Sequence, residues 1–423
     1  MAAMRLVRAA LHSTVAPEAA LSLLDARART LGLPPPAALS GEWFGSRAVL
    51  APSVAIGEVA DAYSLPLDEV DDVVPGAVGG GWFGYLSYDL TDPSGRRAPL
   101  PRAAWGWADH VLRLDNDGTW WFEALVDGAE PPELRRELEA TLNGVPPRLG
   151  WTAAELHRPL PTEHHDAVKA CVHAIEAGEL FQANICTRFS TTFEGTPSAL
   201  FGEGVRRLHP RRAAFLSGDW GALVSLSPEL FLARHGDLVR SVPIKGTLPR
   251  RGPGDDHLAG ELRRSEKDVA ENVMITDLVR NDLGRVCAVG SVRVPELLAV
   301  RPAPGVWHLE STVEGRVVTG DAELLAATFP PGSVTGAPKI RALDLIAELE
   351  PVPRGVYTGA MGLVSPVAGL ELNVAIRTFE VHAGTLWLGV GGGITADSDP
   401  EREWQECLHK AAPLERLLAT PGG

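Results

Sequence analysis

The run Gly221-Ala222-Leu223-Val224-Ser225-Leu226-Ser227-Pro228-Glu229-Leu230-Phe231-Leu232-Ala233 and, soon after, Leu238-Val239-Arg240-Ser241-Val242-Pro243-Ile244-Lys245-Gly246-Thr247 decide the fold class. Each is a short apolar stretch bounded by glycine or proline, the pattern of a buried strand. Working outward, residues 120–126, 359–364 and 385–390 also read as strands, while 163–177, 265–283, 337–349 and 400–417 read as helices. The two kinds of element alternate irregularly. That predicts an α/β protein of the α+β type, with large, mostly antiparallel or mixed sheets and helices outside, and no strict βαβ order. Residues 92–102 and 144–162 are rich in proline and glycine and read as connectors. They leave an N-terminal region, 1–150, and a motif-dense region, 163–415.

Composition narrows the function. The chain has 423 residues, 45% of them hydrophobic, and a formal net charge of −15. An acidic chain of this kind is a poor general nucleic-acid binder, which needs a basic face. No apolar run approaches a membrane span, and the first ten residues have no signal-peptide core. The four cysteines (Cys171, Cys186, Cys287, Cys407) are widely spaced and read as reduced structural thiols, which points to the cytoplasm.

Lysine is scarce: Lys169, Lys245, Lys267, Lys339 and Lys410 are the whole set. Lys245 sits in what reads as a tight, largely uncharged turn, where Gly246 allows close approach to the backbone. A desolvated lysine can shed its proton and act as a nucleophile, which arginine cannot. An ordinary strand-end lysine is the alternative reading. Glu229, in mid-apolar sequence, is a candidate general acid with a raised pKa, or else an ion-paired structural glutamate.

Two predicted helices carry acid pairs. Asp268 and Glu271 share one face, as do Glu403, Glu406 and Lys410. Together they offer hard oxygen ligands suited to Mg²⁺, although capping and solvated-face roles explain each pair alone. Gly391-Gly392-Gly393 follows a strand and could form an anion-binding nest or a flexible turn. Arg377, among apolar neighbours on a predicted strand, needs an anionic partner, either a ligand carboxylate or a structural acid. The segment from Gly332 through Ser333, Thr335 and Gly336 to Lys339 opens a helix and could hold an anion at its N-terminus. Gly79-Gly80-Gly81-Trp82-Phe83-Gly84 fits a dinucleotide fingerprint, but extended residues follow it where a helix is required.

The order of these pieces resembles the chorismate-utilising enzymes. The resemblance is carried by Gly178-Glu179-Leu180-Phe181-Gln182-Ala183-Asn184, Ser227-Pro228-Glu229-Leu230-Phe231, Pro243-Ile244-Lys245-Gly246-Thr247, the segment Asp277 through Asp282 to Arg285, Gly336-Ala337-Pro338-Lys339, Ile376-Arg377-Thr378 and Gly391-Gly392-Gly393-Ile394. It covers 163–415 strongly and 1–150 more weakly, chiefly through Gly80-Gly81-Trp82-Phe83-Gly84-Tyr85. It implies the anthranilate synthase component I-like fold, two large packed sheets with helices outside. It implies Mg²⁺ held by Glu271 and Glu406, with Asp268 and Glu403 supporting through water. It places His308 beside the chorismate ring, Arg377, Tyr357 and the amides near Gly392 on the enolpyruvyl carboxylate, and Lys410 near the ring carboxylate.

Within the family, lysine at position 245 is similar to the aminodeoxychorismate synthase branch. Anthranilate and isochorismate synthases typically have alanine there, and Gln182 stands where the water-using members place a lysine base. The resemblance therefore implies amination of chorismate at C4, with Lys245 as covalent nucleophile and Glu229 as acid. The product would lead toward 4-aminobenzoate. The chain lacks a nucleophilic cysteine at a glycine-rich elbow, so ammonia is expected from a separate glutamine amidotransferase subunit in a heterodimer. The alternatives are anthranilate synthase component I and a non-catalytic chorismate-binding regulatory protein.

Overall fold

The computed structural model describes residues 4–128, 132–250 and 252–419. Among them, strands form two sheets, of thirteen and ten strands. The larger sheet runs in space from Trp151–Ala153 through Gln182–Gly195, Thr385–Ile394, Thr378–His382, Gly221–Ser227, Arg212–Gly218 and Ala37–Trp43 to Met4–Leu11 and Val70–Asp71. The smaller runs from Ile244–Pro249 through Val306–Arg316, Leu238–Val242, Leu230–His235, Gly369–Val374 and Ala360–Ser365 to Gly81–Leu86, Ala103–Ala108 and Gly57–Glu58. Met4–Leu11 pairs with Val70–Asp71 in parallel. The pairings nearest the site, such as Gln182–Gly195 with Thr385–Ile394, are antiparallel.

Strands from the first 150 residues enter both sheets. Ala37–Trp43 pairs with Arg212–Gly218, and Gly81–Leu86 with Ala360–Ser365. The core between the sheets interleaves Leu39, Val49, Leu216 and Leu223 of the larger with Phe83, Tyr85, Met361 and Leu363 of the smaller. Helices Pro17–Leu31, Pro197–Leu208 and Pro400–Leu418 cover the outer face of the larger sheet, and Glu266–Gly284 and Asp321–Thr328 that of the smaller. Central strands such as Ala360–Ser365 and Gly369–Val374 are buried at every position. The first is apolar up to Ser365, whereas the second carries Glu371 and Asn373, which Arg212 meets with its guanidinium and its carbonyl.

Helix ends obey local rules. Ser265 Oγ accepts from the Asp268 amide, and Asp399 Oδ1 from the Arg402 amide with Pro400 at the first position. The run 221–233, read as one strand, is two. Pro228 cannot donate to a ladder, and there the chain leaves the larger sheet for the smaller. Arg377 is likewise not on a strand. It sits at φ 50° in the link by which Gly369–Val374 of the smaller sheet passes to Thr378–His382 of the larger. The two crossings lie side by side: the Val374 amide donates to Glu229 O and the Leu226 amide to Arg377 O, both at 3.0 Å. Gly81 begins an interior strand paired on both sides, which excludes the dinucleotide reading.

Candidate active site

The segment 243–247 is a bulged strand, not a tight turn. Pro243 separates Leu238–Val242 from Ile244–Pro249, which pairs with Val306–Arg316 along one side, while Arg293–Ala303 pairs with the other side of Val306–Arg316. Ile244 stands opposite Glu310 and Thr247 opposite His308, so the register slips at Lys245 and Gly246. A bulge bends the strand and re-aims its side chains. Gly246 has φ +90°, and a Cβ there would lie 3.0 Å from Asp268 Cγ. The close neighbour of its backbone within the chain is thus the Asp268 carboxylate.

The bulge turns Lys245 inward. Its side chain is 10% exposed and its Nζ lies 3.8 Å from Glu271 Oε2. Burial pushes the ammonium pKa down, opposed by Glu271. Beneath it runs the strand that carries the three glycines. They form neither nest nor turn, because Gly391, Gly392 and Gly393 continue Thr385–Ile394 opposite Cys186, Ile185 and Asn184. Their value is space. A Cβ on Gly393 would lie 2.0 Å from Gln182 Nε2 and 3.0 Å from Lys245 Nζ, and one on Gly392 would lie 3.1 Å from Glu403 Oε2.

Glu229 is buried at the crossing between sheets. Its Oε1 accepts from Ser333 Oγ at 2.6 Å and from the Ile244 amide at 3.4 Å. Burial raises its pKa to about 7, against the Ser333 and Ile244 hydrogen bonds and Lys245, which lower it. It is a carboxyl poised to give a proton near neutral pH. The rest of that segment holds itself together. Thr335 Oγ1 donates to Pro331 O, and Gly336 pairs with Ala183, where a Cβ would meet Gln182 O. Lys339 donates to Asp282 and to Thr328 O, so its charge is spent within the chain, and the helix Lys339–Leu349 begins only with it, after the Gly332–Gly336 segment.

His308 is buried on Val306–Arg316. Its Nδ1 lies 3.1 Å from Thr247 Oγ1, and its Nε2 has no hydrogen-bond partner among the described residues. Burial, with Arg377 and Arg211 nearby, pushes its pKa down to about 3, so the ring is neutral. Burial also lowers the Arg377 pKa, and the Glu229 charge works against this. Among the described residues no carboxylate comes within ion-pair distance of Arg377. Tyr357 is buried against Gly389, where a Cβ would strike its ring, and burial keeps the phenol protonated.

The four acids face one another from two helices. Glu266–Gly284 supplies Asp268 and Glu271, and Pro400–Leu418 supplies Glu403 and Glu406. Lysines interleave them. Lys410 Nζ lies 2.7 Å from Glu406 and donates to Gly391 O at 2.7 Å. Lys267 Nζ lies 3.4 Å from Glu403 and 3.9 Å from Glu271. Glu403 Oε2 is buried without a hydrogen-bond partner among the described residues. Among the described residues no group of three or more His, Cys, Asp or Glu side chains is placed to hold a metal ion by itself. Open, hard-oxygen carboxylates with an orphaned oxygen fit a Mg²⁺ that takes one or two of them and completes its shell with substrate and water.

Lys267 was missed in the sequence, where it figured only as one of the five lysines. So was Asn272, whose Nδ2 donates to Leu309 O and whose Oδ1 accepts from Ser311 Oγ, which fastens the acid-bearing helix to the His308 strand. Only its place beside Glu271 hinted at this. All four cysteines are free and buried. No helix among the described residues is long and apolar enough to cross a membrane.

Comparison with known proteins gives this arrangement a family. The chain is 39% identical over 356 residues to an aminodeoxychorismate synthase component 1 of Klebsiella aerogenes, covering 80% of this chain and 76% of that one. It is 43% identical over 368 residues to an anthranilate synthase component 1 of Streptomyces coelicolor, covering 79% and 72%. Its fold matches the menaquinone-specific isochorismate synthase of Escherichia coli with a TM-score of 0.77 at 19% identity, over 99% of this chain and 95% of that one. The profile of the chorismate binding enzymes matches residues 55–416, and the chain belongs to that family of chorismate-utilising enzymes.

Proposed function

We propose that the chain is the synthase component that aminates chorismate at C4, giving 4-amino-4-deoxychorismate on the way to 4-aminobenzoate. The observation that carries this reading is the Lys245 amine, turned inward by a bulge, with burial pushing it toward the neutral form. From an ordinary value of about 10.4, half-neutralisation at pH 7 requires about 4.6 kcal/mol, which a site closed by substrate can supply. Lys245 Nζ adds to C2 of chorismate, both ring double bonds shift, and the C4 hydroxyl leaves as water with the proton of Glu229. Ammonia then attacks C4, both double bonds shift back, the lysine is expelled as its amine, and the new C4 ammonium returns a proton to Glu229. The net exchange is ammonia in, water out.

Ser333 and the Ile244 amide hold the Glu229 carboxyl in place for that transfer. Arg377, which makes no ion pair among the described residues, binds the enolpyruvyl carboxylate together with Tyr357 and the backbone near Gly392. Lys410 meets the ring carboxylate, and the neutral His308 presents Nε2 to the ring. Glu271 and Glu406 would hold Mg²⁺, with Asp268 and Glu403 supporting through water. When bound, the ion neutralises the carboxylates of a dianionic substrate. Ammonia comes from a separate glutamine amidotransferase subunit, and the pair works in the cytoplasm.

The Streptomyces coelicolor relative favours a second reading, anthranilate synthase component I. One incubation separates the two: chorismate, Mg²⁺ and ammonium, with and without added aminodeoxychorismate lyase. Lyase-dependent 4-aminobenzoate supports C4 amination, whereas 2-aminobenzoate formed without lyase would overturn it. No product from a folded protein would favour a non-catalytic binding role.

A further inference from the structure

We propose that Lys267 is a resident counter-ion of the acid cluster, displaced when a divalent cation binds, and thereby a positioning residue that sets the affinity for that ion. The inference rests on the Mg²⁺ reading above. Lys267 is on the same helix as Glu271, four residues before it, and reaches across to Glu403 on the other helix. Its contacts are therefore with one residue proposed to hold the ion and one proposed to support it.

The three lysines around the acids are not equivalent. Lys245 is nearly enclosed, and Lys410 is tied to the Gly391 carbonyl as well as to Glu406. Lys267 has neither restraint. Its side chain is 49% exposed, its two carboxylate contacts are at 3.4 and 3.9 Å, and a flexible stem lets it turn into water. With Lys245 neutral, as the proposed chemistry requires, four carboxylates set against Lys267 and Lys410 leave two negative charges. With Lys267 turned away three remain, so its departure deepens the negative field that a divalent cation enters.

The displacement also has a mechanical side. Glu266–Gly284 packs on the smaller sheet and Pro400–Leu418 on the larger, so the Lys267–Glu403 contact ties the two layers across the mouth of the site. Glu403 keeps a second restraint, Ser398 Oγ on its Oε1 at 2.7 Å. It therefore stays in position when the lysine leaves. Its other oxygen, Oε2, is the buried one without a partner.

The test is Mn²⁺ binding to the full chain without chorismate, read from the loss of the free-ion electron paramagnetic resonance signal. Lys267→Gln should tighten Mn²⁺ about five- to tenfold, in line with removing one cation from a partly solvated cluster. Lys267→Arg, which keeps the charge, should stay within about twofold of the parent. Glu271→Gln should weaken binding in either background. Equal Mn²⁺ affinity for the parent and Lys267→Gln, with Glu271→Gln still weakening both, overturns the role of Lys267 and leaves the metal reading standing. No Mn²⁺ bound by any folded variant overturns both. Unchanged thermal unfolding of Lys267→Gln without metal shows that the readout is not a folding effect.

Discussion

Ser333 Oγ donates to Glu229 Oε1 at 2.6 Å, a short bond from the turn after one helix to a carboxyl that is buried where the chain crosses between sheets. A hydrogen bond to the carboxylate favours the ionised form, so it holds the Glu229 pKa below where burial alone would put it.

Ser333→Ala should therefore raise the Glu229 pKa above its present value of about 7. The general acid then stays protonated to higher pH. The alkaline limb of kcat/KM should move up by roughly half a pH unit to one unit, with a loss of less than about tenfold at pH 7. A limb that stays in place would separate this contact from the chemistry.

Glu229→Gln separates stability from activity. A buried acid whose pKa is raised from 4.5 to about 7 destabilises the fold as pH rises through that window, because the unfolded chain ionises first. The cost is complete above pH 7 and on the order of 1–3 kcal/mol. Glutamine keeps an acceptor for Ser333 and for the Ile244 amide but carries no charge. Urea unfolding at pH 8 should show the variant more stable than the parent, with the gain shrinking toward pH 5. Turnover should fall about 10²- to 10⁴-fold at every pH.

Lys245→Ala should lose C4 amination by about 10³-fold or more and leave only an anthranilate-type side product. Lys245→Arg should not rescue it, since a guanidinium cannot become neutral. Chromatography of the lyase-coupled products decides this, and near-parental 4-aminobenzoate from either variant rules out the covalent route.

Two glycine-to-alanine changes should behave oppositely. At Gly393 the new methyl meets the mobile end of Gln182 and the Lys245 amine. Activity should fall at least about tenfold while stability drops by about 1 kcal/mol or less. At Gly336, φ is 144° and the methyl would meet the backbone oxygen of Gln182. Nothing there can yield, so destabilisation should exceed about 2 kcal/mol. Thermal unfolding of the pair checks both.

Much of this was readable from local chemistry. The caps at Ser265 and Asp399-Pro400 marked the two acid-bearing helices, and apolar runs marked the interior strands. The pieces that depend on a distant partner were not readable. A register slip at Lys245-Gly246 exists only relative to Val306–Arg316, and the sheet change at Pro228 only relative to Gly369–Val374. The three glycines looked like a turn because their lack of side chains is explained by Gln182, Cys186 and Glu403, which approach from elsewhere. The Lys267–Glu403 contact spans 136 residues of sequence, beyond the reach of any helical spacing.

The placement of Lys245 at a bulge, on a strand paired along one side, has an evolutionary corollary. A residue at an irregular margin answers to fewer neighbours than one inside a ladder, so exchanging it disturbs the scaffold little. On the proposed chemistry, the interior frame can be inherited unchanged while one side chain at a bulge is traded, and with it the nucleophile and the product.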